Sequence, residues 1–456
     1  MDSERSLPDV STKILEKSGR EGELKSPRLV LASESVAFIK RGARYVPAKQ
    51  CKLKNSLLAG VGFLELANAG DFAANVWNQL PVPRYVVALM AVGGTLALSL
   101  SYFAFKDSKL SWRNLHLLRK ERHDLQRQKT QHGPVKDEQI VRDLDTRLDV
   151  SFREIGTELI GRIGMDIFMG SGAVVIGIGT FMAIGGANPR VWHASNLLSG
   201  YVGNVPLALY ALINAAWAVY VWMKAHQHGV AGAKVLHGEV PAALLKRRVR
   251  TVQMYAAING VTSILGGAGS LISATMWWGY MILIVVIISS ASCNYIWRRK
   301  IAYERPFGRD PIGMTQESLV RELEFVVSVQ QILKETPSKP LHRHVLDPLS
   351  ITSVVEFILY NDLFEDFCVR LVQDTQLATA LFGIPEKDLT IDSQSLSMVD
   401  KVYAPRILEI ADICIRETGP MLFQYRKRYL LETLGCYMCL SQAGTSKTTL
   451  DTCSKV

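Results

Sequence analysis

Six long apolar stretches constrain this chain more than any other feature. They occupy residues 56–80, 85–105, 163–187, 197–223, 252–275 and 277–297. Each reaches the roughly 20 residues that a helix needs to cross ~30 Å of hydrocarbon. Lipid offers no water to a bare peptide group, so such segments fold as helices. The expected fold class is all-α: a polytopic membrane protein with about six transmembrane helices. The lipid bilayer is its first partner.

The charges say which way the helices face. Lys40, Arg41, Arg44, Lys49, Lys52 and Lys54 precede the first stretch, and basic clusters follow the second, fourth and sixth at 106–122, 224–250 and 298–309. The opposite loops offer only Arg84 and Arg190. Basic ends stay inside, so both termini are expected in the cytosol, at the plasma membrane or an endomembrane. The net charge of +10 is thereby a topology signal against anionic leaflet lipid, and no nucleic acid is implied.

The outer loops are short and the inner ones long, which groups the stretches into three helical hairpins. The second member of each opens alike, at Arg84-Tyr85, Gly200-Tyr201 and Gly279-Tyr280, and ends in an aromatic residue near a cation. That pattern fits an internal repeat, and equally three separate aromatic belts. Residues 1–50 are polar and mixed in charge and read as a disordered cytosolic arm. Residues 51–305 form the membrane domain. Its long inner loop, 106–160, reads as a helical hairpin broken at His132 to Pro134, with Ile140, Leu144, Leu148 and Ile155 on one face. Residues 306–440 read as a cytosolic helical domain and 441–456 as a flexible tail.

Small residues recur every four positions at Thr262, Gly266, Ser270 and Ala274, and again at Gly93, Ala97 and Ser101. Between helices in lipid, close backbone approach supplies the attraction, so these are packing seams. The seven cysteines all fall on the inner side in this topology, and no disulfide framework follows. Cys436 and Cys439 form a lone CxxC pair whose nearest further donors are His342 and His344. Zinc would need two such ligands; no metal and no cofactor is expected.

The first stretch is the anomalous one. "LELANAGDFAANVWNQ" carries Glu65, Asn68, Asp71, Asn75, Asn78 and Gln79. At 100° per residue these share an arc of roughly 140°. Glu65 lies about 15 Å of helical rise beyond Asn55, near mid-membrane. A charge there costs at least ~2.5–3.5 kcal/mol, so the stripe faces the bundle interior. Asp166, Asn214 and Asn259 are its possible partners, and no stretch carries a Lys or Arg in its middle. Two readings stay open: a polar cavity for a proton, cation or small solute, or a protonated Glu65 and asparagines that tie helices together.

In the tail, "SVVEFILYNDLFEDFCVRLVQ" followed by "ATALF" is similar to the opening of RGS domains, the helical modules that regulate G-protein signalling. The match runs through Val355, Leu359, Phe364, Phe367, Leu371, Leu381 and Phe382. "MLFQYRKRYLLETL" resembles the late helix of that fold. The resemblance implies a protein-binding surface around Ala378, Thr379, Leu381 and Phe382 and a heterotrimeric G-protein alpha subunit, or another cytosolic protein, as partner. Ala378 and Thr379 replace the usual Glu-Asn pair, the Asn of which contacts the G-protein switch region, so GTPase stimulation is the weaker part of that implication. The expected function is a multi-pass protein tethering a regulatory or protein-binding domain. The alternative is a transporter or channel that uses the acidic stripe. An enzyme ranks last, since no nucleophile elbow or metal-ligand cluster lies in or beside the stretches.

Overall fold

The computed structural model describes residues 35–41, 44–77, 82–132, 138–236, 239–308, 313–335, 345, 347–383 and 388–453. The chain begins with strands β1 (Ser35–Arg41), β2 (Arg44–Pro47) and β3 (Lys52–Leu53). The first apolar stretch follows as four short pieces: a 3-10 turn at Ala59–Phe63, α1 (Leu64–Asn68), a second 3-10 turn at Ala69–Asp71 and α2 (Phe72–Val76). Then come α3 (Arg84–His132), α4 (Glu138–Gly156), a π-helical stretch at Thr157–Gly164 and α5 (Met165–Ala183). After α6 (Pro189–Asn196) and a π turn at Leu197–Val202 come α7 (Asn204–Val235), α8 (Glu239–Ser273) and α9 (Gly279–Ile296), which closes in a π turn at Trp297–Ile301. The tail holds β4 (Arg305–Pro306), α10 (Gln316–Glu335), α11 (Ile351–Tyr360), α12 (Phe364–Gln373), α13 (Thr375–Phe382), β5 (Asp388–Asp392), α14 (Ser393–Ser397) and α15 (Ala404–Cys453).

Five helices are long and apolar enough to cross a membrane, and they carry the second to sixth predicted stretches. Their outward side chains, among them Val92, Leu212 and Ile288, are exposed, as a lipid-facing surface requires. The chain is thus an all-α polytopic protein, with one correction. Residues 56–80 do not form a single spanning helix. Residues 56–77 are a broken run held inside the bundle, with Val61, Leu64, Ala67, Asn68 and Asp71 buried.

Glycine lets the broken run pack closely. A Cβ on Gly93 of α3 would stand 2.0 Å from the carbonyl oxygen of Gly70, and one on Gly62 would stand 2.7 Å from Cβ of Asn294. At Gly93 the two backbones touch, and at Gly62 the backbone lies against the Asn294 side chain; only glycine permits such approach. The small-residue seams do the same work. Gly93 and buried Ala97 of α3 receive the broken run on one side; Gly266 and Ser270 of α8 receive Glu65 and Asn68 on the other.

The inner loop is a helical hairpin, as its periodicity predicts. Helix α3 runs unbroken from its span into the loop, 49 residues in all, or about 73 Å. Helix α4 packs back along it, with Leu144 and Val150 buried and Arg122 donating to the carbonyl of Leu148 at 2.7 Å.

Two boundaries differ from those expected. Residues 35–41 are not a free arm: β1 pairs antiparallel with β2 and with β5, Val36 opposite Ile391 and Phe38 opposite Leu389. Residues 441–453 are not a loose tail but the end of α15. Residues 1–34 and 454–456 lie outside the described residues, as do Asn78, Gln79, His342 and His344.

The tail core gathers Leu319 and Leu323 of α10, Val355 and Ile358 of α11, Phe364 and Phe367 of α12, Ile407 and Phe423 of α15, and Phe38 of β1. Lys52, buried ahead of the first stretch, donates to the carbonyl of Asp362 at 2.9 Å and pairs with Asp366 at 3.2 Å. Asp362 itself takes a left-handed φ of 59° in the turn between α11 and α12. The tail is therefore bolted to the membrane bundle at both of the bundle's chain ends.

Candidate binding cavity in the membrane bundle

The four predicted stripe residues divide into two groups. Asp71 accepts from the Tyr280 hydroxyl at 2.8 Å and from Asn75 at 2.8 Å, and Asn75 also donates to Tyr280 at 2.9 Å. Asn68 donates to Ser270. These three side chains tie the broken run to α8 and α9 near the short-loop end. Glu65 stands apart. Its Oε2 is buried and has no hydrogen-bond partner, while Oε1 lies against Gly266.

Glu65 faces a cavity of about 110 Å³ lined by the broken run, α4, the π-helical stretch at Thr157–Gly164, α5, α7, α8, α9 and its closing π turn. Asn214 and Asn259, two of the predicted partners, line the same cavity. Neither bonds to Glu65: Asn214 donates to Ser263 at 2.6 Å. The third, Asp166, is elsewhere. It is fully buried at the start of α5 beside Asp107 and Arg162, and it does not line the cavity. Tyr210, Tyr255, Trp217 and Trp297 supply aromatic walls, and Met165 and Met169 supply thioethers. The Tyr255 and Trp297 rings stand 5.4 Å apart.

Toward the tail-bearing end the cavity adjoins a smaller one of about 50 Å³, and Arg153, Thr157, Arg162, Trp297 and Ile301 line both. Arg162 is neutralised where it stands, by Asp107 at 2.9 Å and Glu158 at 3.1 Å. Asp107 also accepts from the backbone N–H of Leu58 at 2.7 Å, and so caps the start of the broken run. Arg153 pairs with Glu432 of α15. Sequence reasoning missed this acidic and basic ring. The signal was there: Asp107 and Arg162 stand at the inner edges of two stretches, where a lone charge needs a partner.

At the junction with the tail, Glu432 also lies 3.9 Å from Arg248 and 3.6 Å from His228, and the Cys436 thiol is 3.5 Å from His228 Nε2. Burial raises the cost of ionising Glu432, but the charges of Arg153, His228 and Arg248 outweigh it and hold the carboxyl below its usual range. His228, Glu432 and Cys436 have ligand atoms close enough to hold a metal. The carboxylate, however, already balances two guanidiniums, and a divalent ion would add to a buried positive excess. The cluster is better described as a latch. Arg248 and Arg428 complete it by donating to the carbonyls of Arg299, Lys300, Ile301 and Ala302, the open end of the last span.

The RGS-like positions lie in the tail. Leu381 and Phe382 are half-buried against its core, and Thr379 is exposed on α13. The chain matches no protein-family model, no curated protein and no solved structure.

Proposed function

We propose that this chain is a multi-pass membrane protein that binds a proton, cation or small polar solute at Glu65 and carries it across the bilayer. The observation that supports the reading best is the Glu65 carboxylate, which has an unpartnered oxygen on a broken helical run inside the bundle and faces a cavity. Interrupted helices at mid-membrane are tolerated where they line a cavity, and are the usual setting of transport sites. In this reading the basic ends and both termini lie in the cytosol, on the side where Arg153 and Arg162 line the cavity.

The test is uptake by vesicles holding the full chain. Glu65→Gln keeps shape and hydrogen bonding but cannot ionise. It should leave folding intact and abolish solute- or proton-coupled uptake. Undiminished uptake in Glu65→Gln would contradict the reading.

One observation favours a second role, a regulatory or RGS-like protein-binding domain. Met398 and Val402, 84% and 76% exposed, both lie in the short connection between α14 and α15 and present apolar side chains at the surface. Capture of a G-protein alpha subunit by the full chain tests it. A fragment beginning at residue 306 would lack β1 and the helices that cover α15.

A further inference from the structure

We propose that the ligand of the Glu65 cavity is a small protonated amine. This rests on the solute-binding reading above and narrows it to a chemical class.

Three features of the lining select an organic ammonium. The first is charge. Glu65 is the lining carboxylate with a bare oxygen, whereas the two lining guanidiniums, Arg153 and Arg162, are each committed to carboxylates. The lining cations already face carboxylates, so the free acceptor that the cavity presents is the bare oxygen of Glu65, and it calls for a cation. The second is the walls. A bare alkali or alkaline-earth ion takes six or so oxygens in a tight shell. This cavity offers instead the rings of Tyr210, Tyr255, Trp217 and Trp297 and two thioethers. Rings of this kind attract alkylated ammonium groups through their faces, as a desolvated cation–π contact. Asn214 donates its amide N–H to Ser263, which leaves its carbonyl oxygen to accept from an ammonium N–H. The third is size. About 110 Å³ admits a few heavy atoms and excludes a lipid or a long polyamine. The binding event moves no electrons and forms no bond. The ammonium keeps its proton, pairs with the carboxylate, and removes the cost of an unpartnered buried oxygen.

The experiment is titration of the purified full chain in lipid nanodiscs, followed by calorimetry and tryptophan fluorescence. Methylammonium and tetramethylammonium chloride are the probes, with sodium and potassium chloride at equal ionic strength. The expected result is saturable ammonium binding that perturbs tryptophan emission. It should weaken at least ten-fold in Glu65→Gln and about two- to five-fold in Trp297→Leu, the range of a single cation–π contact. Ammonium binding indifferent to both substitutions would overturn the assignment. So would saturable sodium or potassium binding without ammonium binding, although Glu65-dependent uptake would then still uphold the broader function. Loss of both, with no saturable probe and no Glu65-dependent uptake, would remove the broader reading as well.

Discussion

Glu65 and Asp71 lie six residues apart on one segment, and their neighbours give them different work. Asp71 has its acceptors filled by Tyr280 and Asn75, while Glu65 keeps an oxygen bare. The sequence shows both on one face, but which of them is satisfied depends on Tyr280, about two hundred positions away. The glycines are the other residue-scale determinants. Gly93→Ala drives a Cβ into the Gly70 carbonyl, a backbone atom that cannot rotate away. Overpacking of this kind costs about 1–3 kcal/mol. Thermal unfolding of the full chain in detergent should show that loss. Gly161→Ala is the control, since its new Cβ meets only Thr157 at 3.9 Å, and it should be close to neutral. Equal effects at the two sites would contradict the close approach of the first segment to α3.

At the scale of elements, α15 is the connector. It gives Phe423 to the tail core and Glu432 to the latch beneath the bundle. A carboxyl held below its usual range stabilises the fold above its unfolded value, about 4.3, and that contribution is lost as pH falls through the folded value. The wild-type chain should therefore lose latch stability on acidification below about pH 4. Glu432→Gln leaves Arg153 and Arg248 facing an uncharged partner. Breaking a buried pair costs about 3–5 kcal/mol at neutral pH, and the acid limb of unfolding should flatten. Melting curves from pH 7 to 3 measure both effects; an unchanged acid limb in the variant would show that Glu432 is not the titrating group. The latch was not legible beforehand. Its members come from α4, α7, α8 and α15, and apart from Cys436 of the CxxC pair none belongs to a local motif. The helices themselves were legible, because 3.6-residue periodicity and apolar length are local properties. The strand pairing of residues 35–41 with 388–392 was not, because it closes across most of the chain.

At the scale of the whole molecule, the bundle and the tail form one packed unit. Lys52 anchors the entering chain to the turn at Asp362, and Arg428 anchors the departing one to the carbonyls of the last span. Hydropathy located the membrane stretches and the basic bias their expected orientation. It overstated the first stretch, since apolar length does not register the two 3-10 turns that interrupt the helix. The Glu65 cavity and the latch share a residue: Arg153 lines the cavity and also pairs with Glu432. Everything functional here depends on the broken first segment enclosing a polar space that water and small solutes reach. The most direct test is modification of Glu65→Cys, in a background with the native cysteines replaced, by a small charged thiol reagent in membrane vesicles. Leu212→Cys, on the exposed outer face of α7, is the lipid-facing comparison. The account predicts that Glu65→Cys reacts and that Leu212→Cys does not. An unreactive Glu65→Cys, or equal reaction at both positions, would contradict it.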